Sequence, residues 1–189
     1  WTASPPPLPD ASTHDEVALS AEGIVVEYPG VVAVRGVDLT LHRGEVAALM
    51  GRNGCGKSSL LWAIQGAGEK TAGKVHSEGR VSLVPQTASD LLYLESVRAE
   101  CEASDRAADV PPGTTEQLLM SLVPSIDVDS HPRDLSEGQK IAVVLAAELV
   151  GDPPVVLLDE PTRGLDYAAK DVLRATISRM AAQGRSVLI

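Results

Sequence analysis

A glycine-rich segment that ends in lysine and serine has the clearest chemistry in this 189-residue sequence. Residues 51–58 read GRNGCGKS, with four residues between the first and the last glycine. Glycines let backbone N–H groups converge on anionic oxygens, and a helix that starts here adds its positive end. We expect Lys57 to reach the β- and γ-phosphates of ATP and Ser58 to ligate Mg²⁺. The predicted ATP-binding residues of this loop are Gly51, Arg52, Asn53, Gly54, Cys55, Gly56, Lys57, Ser58 and Ser59.

Cys55 lies at a variable position of the loop and allows two interpretations. It is either a thiol activated by the helix N-terminus and Lys57, which would make nucleotide binding sensitive to alkylation, or a small residue that the loop tolerates. The second cysteine, Cys101, is far along the chain, so no disulfide framework is predicted. A reducing, cytoplasmic compartment fits this cysteine content best.

Two adjacent carboxylates end the apolar run at residues 155–158. The run predicts a buried strand, and because side chains alternate along a strand, Asp159 and Glu160 should point in different directions. Asp159 is then placed to hold Mg²⁺, and Glu160 to orient or deprotonate the water that attacks the γ-phosphate. A solvated strand end is the alternative.

Strand and helix patterns alternate along the rest of the chain, which predicts an α/β fold. Several strand patterns do not alternate in polarity, as expected for strands buried on both faces. The predicted strands are 24–27, 46–50, 81–84, 155–158 and 186–189. The predicted helices are 57–65, about 114–122, 137–150 and about 167–182. Residues 89 to about 134 contain helix formers without a strand pattern, which indicates a small helical insertion.

Residues 134–139, DLSEGQ, precede a long apolar helix pattern, and Ser136 with Gln139 matches a capping box. Together with the phosphate loop and the acidic strand, this segment resembles the signature motif of ATP-binding cassette (ABC) ATPases. The resemblance extends from about residue 17 to residue 189 and implies a P-loop NTPase core of ABC ATPase type, with a helical subdomain between the Q-loop and the signature motif. The implied signature residues are Leu135, Ser136, Glu137, Gly138 and Gln139.

Other residues follow in the order that the family has. Tyr28 resembles the aromatic residue on which adenine stacks, and Gln86 resembles the Q-loop glutamine that senses Mg²⁺ and the transporter. The D-loop counterpart is Gly164, Leu165 and Asp166. By this resemblance the catalytic residues are Glu160, Lys57 and Gln86, and the metal ligands are Ser58, Gln86 and Asp159.

The resemblance implies that two such domains pair head to tail, so that the signature residues of one cap the ATP of the other. The chain departs from the family pattern in two places. Glu137 replaces the usual glycine, and if its carboxylate faces solvent we expect Glu137→Gly to change the ATPase rate by less than about tenfold. The second departure is at the C-terminal end, because the sequence stops at Ile189, before the histidine of the H-loop.

Residues 1–16 include PPPLP, which predicts a stiff linker to an upstream segment. The alternative is that these residues are an artefact and not a natural part of the chain. The ABC ATPase domain then covers 17–189, with its helical subdomain at about 89–134 and its end truncated before the H-loop. A cluster of Asp127, Asp129 and His131 suggests either a metal site or, with better support, a solvated loop.

The formal net charge of −10 argues against a surface built mainly to bind nucleic acid, because phosphates are neutralised by clustered Lys and Arg. The longest nearly uninterrupted apolar stretch, 141–150, is shorter than the roughly 20 residues of a membrane span, so a membrane role requires a partner. The resemblance is strongest to ATPase subunits of energy-coupling factor (ECF) transporters, which import vitamins or metal ions. It implies two partners, a membrane subunit and a second ABC ATPase domain. The second domain would belong to a homodimer, to a heterodimer or to the same polypeptide. The protein would lie at the cytoplasmic face of the membrane. Two alternatives stay open: a soluble ABC ATPase acting on ribosomes or nucleic acid, and a regulatory nucleotide-binding module without turnover.

Overall fold

The structure is a computed structural model, which describes residues 16–189. The predicted linker therefore lies outside the described residues, except for Glu16. The strands are β1 (Val17–Tyr28), β2 (Val31–His42), β3 (Val46–Ala47), β4 (Ala72–Ser77), β5 (Val81–Val84), β6 (Val155–Leu158) and β7 (Ser186–Leu188). The helices are α1 (Lys57–Gln65), α2 (Val97–Ala108), α3 (Thr114–Leu122), α4 (Glu137–Leu149) and α5 (Tyr167–Ala182), with short 3₁₀ turns at Ala88–Leu91 and Pro132–Asp134.

A parallel sheet with the strand order β3-β7-β6-β5 forms the centre of the fold. Strand β6 lies between β5 and β7 and is buried along its whole length, as its apolar run predicts. Helices α1 and α4 pack on the sheet through Leu61 and Val143, which belong to two separate hydrophobic clusters. The α/β class predicted from the sequence is confirmed, and the carboxyl end of β6 delivers Asp159 to one edge of the sheet.

A second sheet is antiparallel, with the order β2-β1-β4. Strand β1 is longer than the predicted strand at 24–27, and β2 and β4 were not predicted. A tight turn at Pro29-Gly30 joins β1 to β2, and Gly30 adopts a φ of 79°, which glycine accepts without steric cost. This hairpin adds a wall beside the phosphate loop that the strand–helix alternation did not indicate.

The strand prediction at 46–50 is wrong in its second half. Only Val46–Ala47 pairs with β7 as a strand, and Met50 is 89% exposed. Leu49 still donates its N–H to the carbonyl of Ile189 at 2.6 Å, after which the chain turns away from the sheet into the glycine-rich loop. The exposed Met50 therefore belongs to the loop, although its apolar character resembles that of the strand.

The region between β5 and α4 is helical, as predicted, and includes α2 in addition to the expected α3. Asp105 of α2 accepts hydrogen bonds from the N–H of Gly113 at 2.6 Å and from the N–H and hydroxyl of Thr115 at 2.8 and 2.6 Å. These bonds supply the N-terminus of α3 with a buried acceptor, because its N-cap residue Gly113 has no side chain to do so. They hold α2 and α3 together as one unit.

The cluster of Asp127, Asp129 and His131 is bound within its own loop and to α2. Asp129 accepts a hydrogen bond from Arg98 Nε at 2.9 Å, and Arg98 also contacts Glu116 Oε2 at 2.7 Å. The carboxylate of Asp127 accepts the N–H of Asp129, and His131 Nδ1 accepts the N–H of Arg133. These contacts match the solvated-loop interpretation better than the metal one.

Within residues 16–189, no helix combines the length and the apolar character needed to cross a membrane.

Candidate nucleotide-binding site

The glycine-rich loop runs from the end of the central sheet into α1, which begins at Lys57. Its N-cap residue is Gly56, with a φ of 97°, and no side chain caps the helix. A Cβ at Gly56 would lie 2.2 Å from the carbonyl oxygen of Ala33 in β2, so only glycine fits between the loop and the hairpin wall. The helix N-terminus is thereby left open to accept an anion.

The ammonium group of Lys57 lies across the loop. It donates to the carbonyl oxygen of Gly51 at 3.1 Å, and it lies 3.6 Å from Glu160 Oε1. The lysine side chain is largely buried, so its charge is held close to the open end of α1. This is a cation positioned where phosphate oxygens would be bound by backbone N–H groups.

Asp159 and Glu160 directly follow strand β6 and lie in different environments. Asp159 is 3% exposed, and its N–H donates to the carbonyl of Val84 in the neighbouring strand. Glu160 has a φ of 47°, in the left-handed region that non-glycine residues rarely adopt. Such a backbone is kept where the surrounding structure requires it, often at functional sites. Here it turns the Glu160 carboxylate toward Lys57.

Two clefts meet at Lys57 and Glu160, which line both. The larger has a volume of about 1140 Å³ and also contains Tyr28, Ser58 and Gln86. Tyr28 donates its hydroxyl to Ser59 Oγ at 3.4 Å, which holds the aromatic ring beside the phosphate loop. The larger cleft is big enough for a drug-sized ligand and is continuous from the tyrosine to the catalytic candidates.

The smaller cleft, of about 370 Å³, contains Asp159. Among the predicted loop residues, Gly54, Cys55 and Gly56 line the larger cleft, Gly51 lines the smaller one, and Asn53 lines both. Arg52 is exposed and lines neither cleft. The predicted metal ligands Ser58, Gln86 and Asp159 thus divide between adjoining clefts that share Lys57. Their hydroxyl, amide and carboxylate oxygens are the donor types that Mg²⁺ prefers, so this set fits the ion.

One wall of the larger cleft was missed from the sequence. It is formed by β2, including Val34, Arg35 and the first residue of the strand, Val31, at the tip of the hairpin. Arg163 also lines both clefts and is a third cationic side chain of the larger cleft, after Lys57 and Arg35. The signal for the wall was present, because Pro29-Gly30 followed by a β-branched run is typical of a hairpin.

The predicted capping box at the start of α4 is present. Ser136 Oγ accepts the N–H of Gln139 at 3.3 Å, and Gln139 Oε1 accepts the N–H of Ser136 at 2.9 Å. Within the described part of the chain, the N–H groups of Glu137 and Gly138 have no hydrogen-bond acceptor. Residues 135–139, all described, line neither of the two clefts. The signature segment therefore presents open donors away from the chain's own phosphate loop.

The D-loop counterpart lies beside this segment. Asp166 caps α5 by accepting the N–H of Ala169 at 2.8 Å, and Leu165 is buried. A Cβ at Gly138 would lie 2.7 Å from Ala169 Cβ, so the first turns of α4 and α5 are in close contact. The signature and D-loop segments thus form one packed surface.

Comparison with known proteins agrees with this geometry. Residues 34–163 match the family model described as ABC transporter. A Streptomyces coelicolor protein whose name assigns it to the ABC transporter ATP-binding proteins is 47% identical over 97% of this chain. The energy-coupling factor transporter ATP-binding protein EcfA of Methanothermobacter thermautotrophicus is 29% identical over 86% of this chain and 58% of its own length.

Solved structures show the same fold. The structure of cbiO1 from Clostridium perfringens, described as part of the ABC transporter complex cbiONQ, has a TM-score of 0.74, 26% identity and coverage of 93% of this chain and 78% of that one. A nucleotide-free ATP-binding cassette from an ABC transporter has a TM-score of 0.79 at 22% identity, with coverage of 92% and 80%. The chain spans only 35% and 34% of the first two relatives it matches. On the family match and on these relatives, the chain belongs to the ABC transporter family, as an ATP-binding domain of ABC ATPase type.

Proposed function

We propose that this domain binds ATP with Mg²⁺ and hydrolyses it to power transport across a membrane. The observation that carries the proposal is the convergence of three features on one cleft: the uncapped N-terminus of α1, the ammonium of Lys57 and the carboxylate of Glu160. The first two bind phosphate oxygens, and the third supplies a base or an orienting group for water. An anion site without an acid beside it would support binding alone.

Each candidate residue then has a role consistent with its position. Lys57 holds the β- and γ-phosphates, while Glu160 orients or deprotonates the attacking water. Tyr28 packs against the adenine ring from the hairpin side of the larger cleft. Ser58, Gln86 and Asp159 would hold Mg²⁺, which, when bound, neutralises charge that develops on the transferring phosphoryl group.

The site is proposed to be completed by a second ABC ATPase domain, paired head to tail with this one. Ser136 and the open N–H groups of Glu137 and Gly138 would bind the γ-phosphate held by the partner domain. This proposal is supported by the outward position of residues 135–139, which line neither cleft of their own chain. The proposed geometry is the same for a partner domain in the same polypeptide and for one in a separate chain.

We further propose that the protein acts at the cytoplasmic face of a membrane, bound to a membrane subunit, in import of a nutrient such as a vitamin or metal ion. The similarity to EcfA and to cbiO1, which are named as parts of transporters, supports a membrane partner, and the acidic net charge offers no support for a nucleic-acid surface. In this proposal the ABC ATPase domain covers 17–189, and its helical subdomain, about 89–134, docks the membrane subunit next to the Gln86 segment.

Phosphate release by the purified protein tests the catalytic part. Glu160→Gln should lower the rate at least about 100-fold while ATP binding, measured with a fluorescent nucleotide, is retained. The matched control is Glu102→Gln, which removes an exposed carboxylate of α2 and should leave the rate unchanged. ATP binding by the unaltered protein without Glu160-dependent release would instead identify a regulatory module.

Co-purification tests the transport part. The tagged protein should be recovered from detergent-solubilised membranes of its source cells together with a polytopic membrane protein. Recovery with ribosomes or nucleic acid, and not with such a membrane protein, would contradict the proposal and favour the soluble alternative.

A further inference from the structure

We infer that Lys140 is a positioning residue for the signature segment, because it holds the carboxylate of Glu137 away from the nucleotide-binding end of α4. The inference rests on the proposed function, in which this end of α4 caps the ATP of a partner domain. Lys140 Nζ lies 2.8 Å from Glu137 Oε1 in a hydrogen-bonded ion pair. The pair spans the first turn of the helix, from its first residue to its fourth.

Glu137 brings a negative charge to a position where an anion has to bind. It is the first residue of α4, directly after the N-cap Ser136, and its own N–H group is one of the two open donors. A free carboxylate here would repel the γ-phosphate that these donors are proposed to bind. The helix dipole favours the carboxylate but does nothing to direct it away from that phosphate.

The surroundings of Glu137 show where its side chain is directed. Its Cγ lies 3.8 Å from the position that a Cβ on Gly164 would occupy, so the side chain runs along the D-loop turn. Its side chain is 51% exposed, whereas that of Lys140 is only 15% exposed. The lysine is thus held in place by its packing, and the more exposed glutamate is bound to it.

The pair is poorly suited to stabilising the fold. Ion pairs three residues apart on a helix contribute only a few tenths of a kcal/mol to stability, and the half-exposed Glu137 leaves this pair in contact with solvent. Its effect is expected instead on the electrostatics of the cap, where Lys140 neutralises the added charge and fixes its direction. The pair therefore lets a signature segment with glutamate, in place of the common glycine, accept the γ-phosphate.

Four variants of the intact purified protein test this: Lys140→Met, Lys140→Arg, Glu137→Gln and the double variant Glu137→Gln/Lys140→Met. Lys140→Met should lower kcat/KM for ATP about fivefold or more, as expected for an unpaired like charge near the phosphate. Lys140→Arg should keep most of the activity. The double variant should lie within about twofold of Glu137→Gln, because without the carboxylate the lysine has nothing to neutralise.

Thermal melting of the same proteins separates positioning from folding. Lys140→Met should shift Tm by less than about 3 °C, as expected for the loss of a weak ion pair within one helical turn in a domain of this size. The inference is overturned if Lys140→Met keeps full activity, if it impairs the enzyme equally with and without Glu137, or if its loss of activity follows a large loss of Tm. If the unaltered protein shows no Glu160-dependent phosphate release, the proposed function fails first and the inference fails with it.

Discussion

Lys57 Nζ lies 3.6 Å from Glu160 Oε1, and the two side chains line both clefts of the site. The contact links the phosphate loop to the end of β6, two segments that are more than a hundred residues apart in the chain. It also places the positive charge of Lys57 beside the negative charge of Glu160. A carboxylate near the γ-phosphate is repulsive, so the neighbouring ammonium is needed to make the location acceptable to an anion.

Lys57→Met should therefore weaken ATP binding at least about tenfold, because charge-assisted hydrogen bonds to the phosphates are lost. Glu160→Gln should bind ATP at least as tightly as the unaltered protein, since it removes a repulsive charge and frees Lys57 from its carboxylate partner. Titration with a fluorescent ATP analogue measures both effects. Lys74→Met, which removes an exposed lysine of β4, is the control. Equal affinity of Lys57→Met and the control would contradict the assigned role.

The two cysteines should differ sharply in reactivity. Burial, followed by the charges of Glu116, Asp105 and Glu100, raises the pKa of the Cys101 thiol to about 12, so almost no thiolate is present at pH 8. Cys55 is exposed in the phosphate loop. A thiol-reactive chromophore should therefore label one thiol per folded chain at pH 8 and both in denaturant.

Cys55→Ser identifies the labelled thiol, because its folded form should not react. ATP should slow the labelling of Cys55, since the larger cleft contains this residue. Whether labelling also stops phosphate release distinguishes the two interpretations of Cys55. Rapid reaction of a second thiol in the folded protein would show that Cys101 is less buried than in this fold.

The sequence predicted the parts of the site that depend on local spacing. The phosphate loop, the start of α1 at Lys57, the position of Asp159 and Glu160 directly after β6 and the capping box of Ser136 all follow from short patterns with one physical explanation each. The strand β6 was also predicted, because a strand buried on both faces is a continuous apolar run.

Features that depend on distant contacts were not predicted. Strand β2 pairs with β1 and forms a wall of the cleft, yet its exposed and half-buried residues lack the apolar continuity of the central strands. Met50 has the composition of a strand residue but lies in a loop, because the chain must leave the sheet to reach the phosphates. The pairing of Glu137 with Lys140 depends on which rotamers the packing of α4 against the D-loop permits, and no sequence pattern indicates that choice.

Asp105→Asn should destabilise the helical region by about 1–3 kcal/mol, the usual effect of weakening a buried, hydrogen-bonded acceptor. Urea unfolding at pH 7 measures the loss. Asp105 is 2% exposed and accepts three hydrogen bonds from Gly113 and Thr115. The control is Asp109→Asn, at the exposed C-cap of α2, where φ is 54° and asparagine is equally tolerated.

The same carboxylate predicts how stability depends on pH. Burial by itself raises the pKa of Asp105, but the hydrogen bonds from Thr115 and Gly113 outweigh burial, so the net pKa lies below its ordinary value. A lowered pKa in the folded state means that the stabilisation is fully present above the unfolded value of about 3.9. It is lost as the pH falls through the folded pKa. The stability difference between the unaltered protein and Asp105→Asn should therefore shrink in acid below about pH 4, and a difference that grew in acid would contradict this assignment.

Gly138→Ala should destabilise the contact between the signature segment and the D-loop, because the new methyl group would lie 2.7 Å from Ala169 Cβ. Overpacking of this kind costs about 1–3 kcal/mol, measurable by urea unfolding. Gly138 lies in the second position of α4 and Ala169 in the first turn of α5, so one of the two helices has to shift. That shift moves the open N–H donors of α4, and the ATPase rate should fall along with stability.

Ala169→Gly supplies the matched test, because it removes the group that the new methyl would strike. Alone it should cost up to about 1 kcal/mol, the usual price of glycine within a helix. Combined with Gly138→Ala it should restore both stability and ATPase rate beyond the sum of the single effects, with a coupling energy of about 1 kcal/mol. Strict additivity would show that α4 and α5 do not touch at this point. Recovery of stability without recovery of the rate would show instead that Gly138 is needed for the cap itself, since a side chain beside its N–H then obstructs the γ-phosphate of the partner domain.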